Sequence, residues 1–275
     1  MSLSCRQNLV QLARKYDALI ITDDVYDVLQ FPTSASTSPT SLKTAVLPRL
    51  IDIDRTLKPT PDSNSFGNAM SNGSFSKIAG PGARTGWAEA SPKFTYGLSQ
   101  CGSSRSGGAP SQLVAAMMYE MLRNGSLENH IESVLKPAYK KRYEIIVCAI
   151  RKLLYPLGVR LGEVDFDGKG IFGGFFIWVV LPKGVNAQLV AEVAKEKENL
   201  IVAPGRIFEV SNVRGIKFEN ELRLTFAYEE ESNLEEGIGR LERVVRGILE
   251  GNGGIWRGTI GEDTVGFKQN IGEFQ

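Results

Sequence analysis

Apolar positions along the chain change period several times, and each change marks an element. In "SCRQNLVQLARKYD", Leu9, Leu12, Ala13 and Tyr16 recur at helical spacing, and Ser4 with Gln7 offers a capping box, so the chain is expected to open on a helix. Ala18 to Ile21 then run apolar and stop at Asp23 and Asp24, the pattern of a strand buried on both faces that delivers polar residues at its carboxyl end. In an open α/β sheet, ligands bind at that end.

Residues 31–65 hold five prolines among many Ser and Thr and read as a long loop, broken by the short apolar "AVLPRLIDI". Two strands are expected next, in "NAMSNGSFSKI" and "RTGWAEAS". A Gly- and Ser-rich stretch follows and leads into a helix with Pro110 near its first turn and Val114, Ala115, Met118, Met121 and Leu122 on one face. From Ser126 to Tyr155 the period is helical around Pro137, which predicts one helix kinked near Lys136 or two joined there.

Beyond it, "FDGKG" reads as a turn and Phe175 to Val180 as a strong strand, followed by a helix capped by Asn186. "NLIVAP" and "NELRLTFAY" are two further strands. The last helix carries Leu234, Ile238, Leu241, Val245 and Ile248 on one stripe, with Ser232 and Glu235 as its expected capping box. The tail from Gly251 has no period. The alternation gives an α/β first half and a smaller α+β second half, divided as 1–136, 137–250 and an irregular 251–275.

Composition narrows the functional classes. With 42% hydrophobic and 23% charged residues and a formal net charge of +1, the 275-residue chain has no general attraction to nucleic acid or to an acidic membrane, and neither is expected as a partner. Cys5, Cys101 and Cys148 form no paired motif, and one histidine, His130, cannot build a multi-histidine centre, so no metal site is expected. His130 reads as a surface residue near a helix start, and Trp87 and Trp178 as core. No signal-peptide layout or membrane-length apolar run occurs, which gives a cytoplasmic expectation.

The chemistry gathers at "SNGSFSKIAGPGARTGW". Lys77 stands where a strand pattern gives way to turn formers, a setting in which a lysine can react covalently with a carbonyl. Ser74 and Ser76 offer hydroxyls, Gly80 to Gly82 allow close backbone approach, and Arg84 supplies a planar fork for phosphate oxygens. A carbonyl compound bearing a phosphate suits such a set, and pyridoxal phosphate is one. Its ring nitrogen needs an acid, for which Asp23 is a candidate, and Tyr26 could bond its phenolic oxygen. Arg223, sharing one side of a strand with Glu221 and Thr225, could grip a carboxylate.

In this order, "LIITDDVY", "SFSKIAGPGARTGW", "APGRIFEV" and "NELRLTFAY" resemble the class I/II aminotransferases of pyridoxal-phosphate fold type I, over residues 4–248. The looks of "SSRSGGAPSQL" and the proline-broken loop are similar to the aminoadipate and kynurenine branch. The resemblance implies part of a large, mostly parallel-sheet domain with a smaller α+β domain, and a homodimer. It also implies a ping-pong transfer of an amino group between an amino acid and an oxo acid.

By the same resemblance Lys77 is the internal-aldimine lysine and proton shuttle, Asp23 the pyridinium partner and Tyr26 the phenolic-oxygen partner. Ser74, Ser76 and Arg84 bind the cofactor phosphate, and Arg223 the substrate α-carboxylate. The match begins after the family's Asn-Pro-x-Gly segment, which leaves the ring-contacting asparagine, the stacking aromatic, part of the phosphate cradle and several strands without counterparts. Exposed sheet edges are expected from that, and with them an alternative in which an inactive aminotransferase-like chain has a binding role.

Overall fold

A computed structural model describes residues 1–33, 47–58, 66–106, 111–162, 170–211, 215 and 217–252. The expected turn at 166–169, Pro110 and the tail beyond Asn252 lie outside the described residues. The chain divides into two compact units, one of Met1–Lys141 with Val164–Phe175 and one of Arg142–Glu163 with Phe176–Gln275.

The first unit opens on α1 (Leu3–Lys15), capped by Ser2, whose hydroxyl accepts from the Cys5 N–H; the expected Ser4 box is not used. Val10 and Ala13 are its buried residues, while Leu12 and Tyr16 face solvent. β1 (Ile20–Asp23) follows, then β2 (Gln30–Pro32). The "LIDI" segment expected inside a loop is a helix, α2 (Leu50–Thr56), because Leu50, Ile51 and Ile53 close a core with Val10 and Ala69.

β3 (Ala69–Ser74) pairs parallel with β1, Ile20 opposite Ala69 and Asp23 opposite Asn72, and antiparallel with β4 (Gly86–Glu89). The sheet order is β1-β3-β4, so among the described residues β1 is an edge. Its expected burial on both faces is therefore corrected: burial alternates, and Ile21 is 64% exposed. Trp87 is not core either; at 43% exposed it lays one side against Phe75 and Gly73.

Two short helices precede and enter the Gly- and Ser-rich stretch. α3 (Pro92–Ser99) is capped by Ser91, and α4 (Gly102–Arg105) is a single turn. α5 (Gln112–Arg123), capped by Ser111, buries Met118 and packs Val114 and Met121 on a core with Phe75, Ile78 and Leu29; Leu122 is exposed. Helix then runs through α6 (Ser126–His130), a wide π turn (Ile131–Leu135) and α7 (Lys136–Ala149). The wide turn just before Pro137 makes room for a ring that clashes with a regular ladder, so the irregularity expected near Lys136 is a π turn within a run of helix. His130 is half-buried in α6.

In the second unit, a π turn (Ile150–Leu154) leads to β5 (Arg160–Leu161). β6 (Ile171–Gly173) belongs to the first unit and pairs with β2. β7 (Phe176–Val180), α8 (Ala187–Glu198), β8 (Ala203–Pro204) and β9 (Glu221–Thr225) follow. They form a sheet of order β5-β7-β9-β8, and Asn186 caps α8 as expected. α9 (Glu231–Gly247) buries Leu234, Ile238, Leu241 and Val245 but starts at Glu230 without a side-chain cap, so the Ser232 box does not form. Among the described residues no helix is long and apolar enough to cross a membrane.

Candidate active site

The lysine turn is built from its cap inward. β3 stops at Ser74, whose hydroxyl accepts the Ser76 N–H at 3.0 Å and starts a 3₁₀ turn, Phe75–Lys77. The N–H groups of Ile78, Ala79 and Gly80 all reach the Phe75 carbonyl, at 3.1, 2.8 and 3.2 Å. With Phe75 and Ile78 buried, the backbone on either side of Lys77 is anchored in the core.

Lys77 Nζ lies 5.9 Å from the Tyr26 ring centroid and 5.8 Å from that of Phe175, and among the described residues it has no hydrogen bond or ion pair. Phe175 meets Tyr26 edge to face at 5.0 Å and packs on Tyr139 at 4.7 Å. Gly174, at φ +81°, lets the chain turn there, and a Cβ on it would touch the Tyr26 ring at 3.5 Å. Lys77 and Tyr26 are thus brought together. The roles of Phe175 and Tyr139 were missed in the sequence, where Phe175 reads only as the start of a strand and Tyr139 as one position in a long helix.

Asp23 is exposed at the carboxyl end of β1, and its Oδ1 accepts from Asn72 Nδ2 at 3.1 Å. Asp24 is committed elsewhere: the hydroxyls of Thr22 and Ser71 donate to its Oδ2 at 2.5 and 2.6 Å. Asp27, three residues on, is pushed up to about 6, by burial first and by the Asp24 charge second. Arg49 stands 3.8 Å from Asp27 and pairs more closely with Asp52 and Glu89, at 2.9 and 2.8 Å.

Gly80, at φ +141°, opens a second 3₁₀ turn, Pro81–Ala83. Arg84 follows in the left-handed region at φ +46°; it is exposed and donates to the Pro81 carbonyl at 3.2 Å. Ser74 and Ser76 are half-buried at the first turn. Gly86 cannot carry a side chain, because a Cβ there would lie 2.5 Å from the Gly73 carbonyl oxygen. That close approach holds β4 against β3 and fixes both ends of the loop.

Arg223 belongs to the second unit. It stands opposite Trp178 on the antiparallel β7–β9 pair, with Leu222 and Leu224 buried on the other face. Its guanidinium carbon is 4.0 Å from the Phe176 ring centroid and 4.3 Å from that of Phe208.

These turns and sheets define an α/β protein with the fold of the fold type I aminotransferases. A solved structure similar to it is the multiple substrate aminotransferase of Thermococcus profundus, with a TM-score of 0.70 and 28% identity over 91% of this chain and 53% of that one. The chain belongs to the aminotransferase class I and II family, whose profile matches residues 2–241. A Saccharomyces cerevisiae protein, YER152C, itself uncharacterized, is 36% identical over 238 residues, 86% of this chain and 50% of its own length. The 2-aminoadipate transaminase of Thermus thermophilus is 29% identical over 247 residues, 90% of this chain and 54% of its own. The chain spans about half the length of the relatives it matches.

Proposed function

We propose that this chain carries the lysine and carboxylate-binding machinery of a pyridoxal-phosphate-dependent aminotransferase, moving an amino group between an amino acid and an oxo acid. The observation that carries the reading is Lys77. Its amine ends a core-anchored turn beside two aromatic rings and has no carboxylate to pair with among the described residues.

The donor set fits the cofactor. Lys77 and Arg84 supply cations, Ser74 and Ser76 supply hydroxyls for phosphate oxygens, and Asp23 supplies an anion suited to a protonated ring nitrogen. When bound, pyridoxal phosphate supplies an electron sink for the substrate's α-carbon. Lys77 would hold the cofactor through its amine and move the substrate's α-proton, Tyr26 would meet the cofactor's phenolic oxygen, and Arg223 would bind the substrate α-carboxylate. A homodimer in the cytoplasm and a substrate range of the aminoadipate and kynurenine kind complete the proposal.

The test is the visible absorption of the purified chain with pyridoxal phosphate, before and after borohydride, beside Lys77→Ala. A band lost in Lys77→Ala and fixed by reduction to Lys77 supports the reading; a folded chain with no such band sinks it. One observation favours a second reading, an inactive chain that keeps the fold for binding: Leu19, just before β1, and Ile21 within it are 41% and 64% exposed on what is, among the described residues, an edge strand. A cofactor band without turnover of any amino donor would select it.

A further inference from the structure

Arg223 presents a cation that its surroundings leave unspent. On β9 it shares a face with Glu221, two residues away, the nearest opposite charge on its own strand and one within reach of a long side chain. The two do not pair. Trp178, directly across from Arg223 on β7, reaches diagonally and donates its indole N–H to Glu221 Oε2. Among the described residues no side chain accepts from the Arg223 guanidinium.

The two rings against that guanidinium add a direction. Phe176 and Phe208 lie 4.0 and 4.3 Å from Cζ, and Phe208 is itself braced edge to face by Trp178 at 5.5 Å. Phe218 braces Trp178 in turn, at 5.6 Å. Rings in contact with the cation displace water from it and attract it weakly, while its planar fork of N–H donors stays matched to a carboxylate.

We propose that Phe176 and Phe208 are positioning residues that hold Arg223 in place for an incoming carboxylate, and that Trp178 keeps Arg223 un-neutralised by engaging Glu221. The inference rests on the assignment of Arg223 to the substrate carboxylate and goes beyond it. It makes the site's charge depend on an indole N–H that touches neither substrate nor cofactor.

The experiment titrates the full chain by calorimetry with hydrocinnamate, a monocarboxylate, and with hydrocinnamamide, its neutral counterpart. Wild type is expected to bind the acid but not the amide, and Arg223→Met to bind neither. Phe208→Ala should weaken acid binding about three- to tenfold and Phe208→Tyr should not, as removal and retention of one ring contact predict. Trp178→Phe should weaken it about tenfold by freeing Glu221 to pair with Arg223, and adding Glu221→Gln should restore it.

The rescue separates charge from packing, because a merely structural role for Trp178 is not repaired at position 221. If Arg223→Met abolishes binding while the Trp178 and Phe208 variants bind as wild type, the inference is overturned and the Arg223 assignment stands. It is equally overturned if Glu221→Gln fails to rescue a folded Trp178→Phe chain. If wild type shows no Arg223-dependent binding, the inference and the Arg223 assignment both fall. The Lys77 absorption band, measured on the same preparation, then judges the aminotransferase reading separately. Should Trp178→Phe not fold, the Phe208 pair decides alone.

Discussion

Asp23 and Asn72 stand side by side on parallel strands, and the Asn72 amide donates to Asp23 Oδ1 at 3.1 Å. The carboxylate proposed to meet the cofactor's ring nitrogen is therefore held by a neighbour on the strand that leads to Lys77. Removing the amide should loosen it without altering its charge. Asn72→Ala is expected to weaken pyridoxal phosphate about two- to fivefold, the worth of one partly exposed hydrogen bond. A titration of the visible band checks this, and unchanged affinity would remove Asn72 from any role at the site.

Asp27 gives a pH dependence. Its pKa is raised from 3.8 to about 6, by burial first and by Asp24 second, against opposing help from Arg49 and Arg6 and a further push from Asp52. With the folded value above the unfolded one, its contribution is complete below the unfolded pKa of 3.8 and is lost as pH rises through about 6. Asp27→Asn should thus stabilise the chain near pH 8 by on the order of 1–2 kcal/mol, after allowance for solvent screening, with the gain vanishing near pH 4. Urea unfolding at the two pH values is the measurement.

The pair Arg14–Asp54 ties α1 to α2. Arg14 Nε meets Asp54 Oδ1 at 2.7 Å with both side chains largely buried, and Asp54 Oδ2 also accepts the Asn68 N–H at 2.8 Å. Asp54→Ala strips a largely buried guanidinium of its counter-charge, leaving it only backbone carbonyls, and deprives the Asn68 N–H of its acceptor, and should cost about 3 kcal/mol. Arg14→Met with Asp54→Leu should cost less than Asp54→Ala, since no charge is stranded. Urea midpoints of the three chains decide.

Cys101 precedes α4, and its thiol is lowered to about 7 by hydrogen bonds from the Ser103 hydroxyl and then the Ser104 hydroxyl. Iodoacetamide near neutral pH should therefore label Cys101 ahead of Cys5 and Cys148, both exposed and free. Ser103→Ala should slow it. Peptide mass spectrometry over a time course reads the order, and equal rates at all three would contradict the hydrogen-bond argument.

How far the sequence could be read depended on how local the cause was. The lysine turn was legible because its determinants sit within a few residues: Ser74 caps, Phe75 and Ile78 anchor, and the glycines turn. Arg223 on the polar face of β9 followed from strict alternation between Leu222 and Leu224. What escaped was set by distant packing. Leu50 to Ile53 read only as a short apolar break in a loop, because nothing local shows that Val10 and Ala69 wait to cover a helix. The burial of β1 was misjudged because its neighbours on the sheet are not written in its own residues. Phe175, Phe208 and the hold of Trp178 on Glu221 arise from segments far apart in sequence, where no spacing rule reaches.

The edge position of β1 has a practical side. A four-residue strand with Ile21 facing water and one row of backbone groups unmatched among the described residues is a template for any strand brought near it. How this chain behaves in a tube therefore depends on how much of it is there. Dilution series, run before any assay of chemistry, belong with its purification.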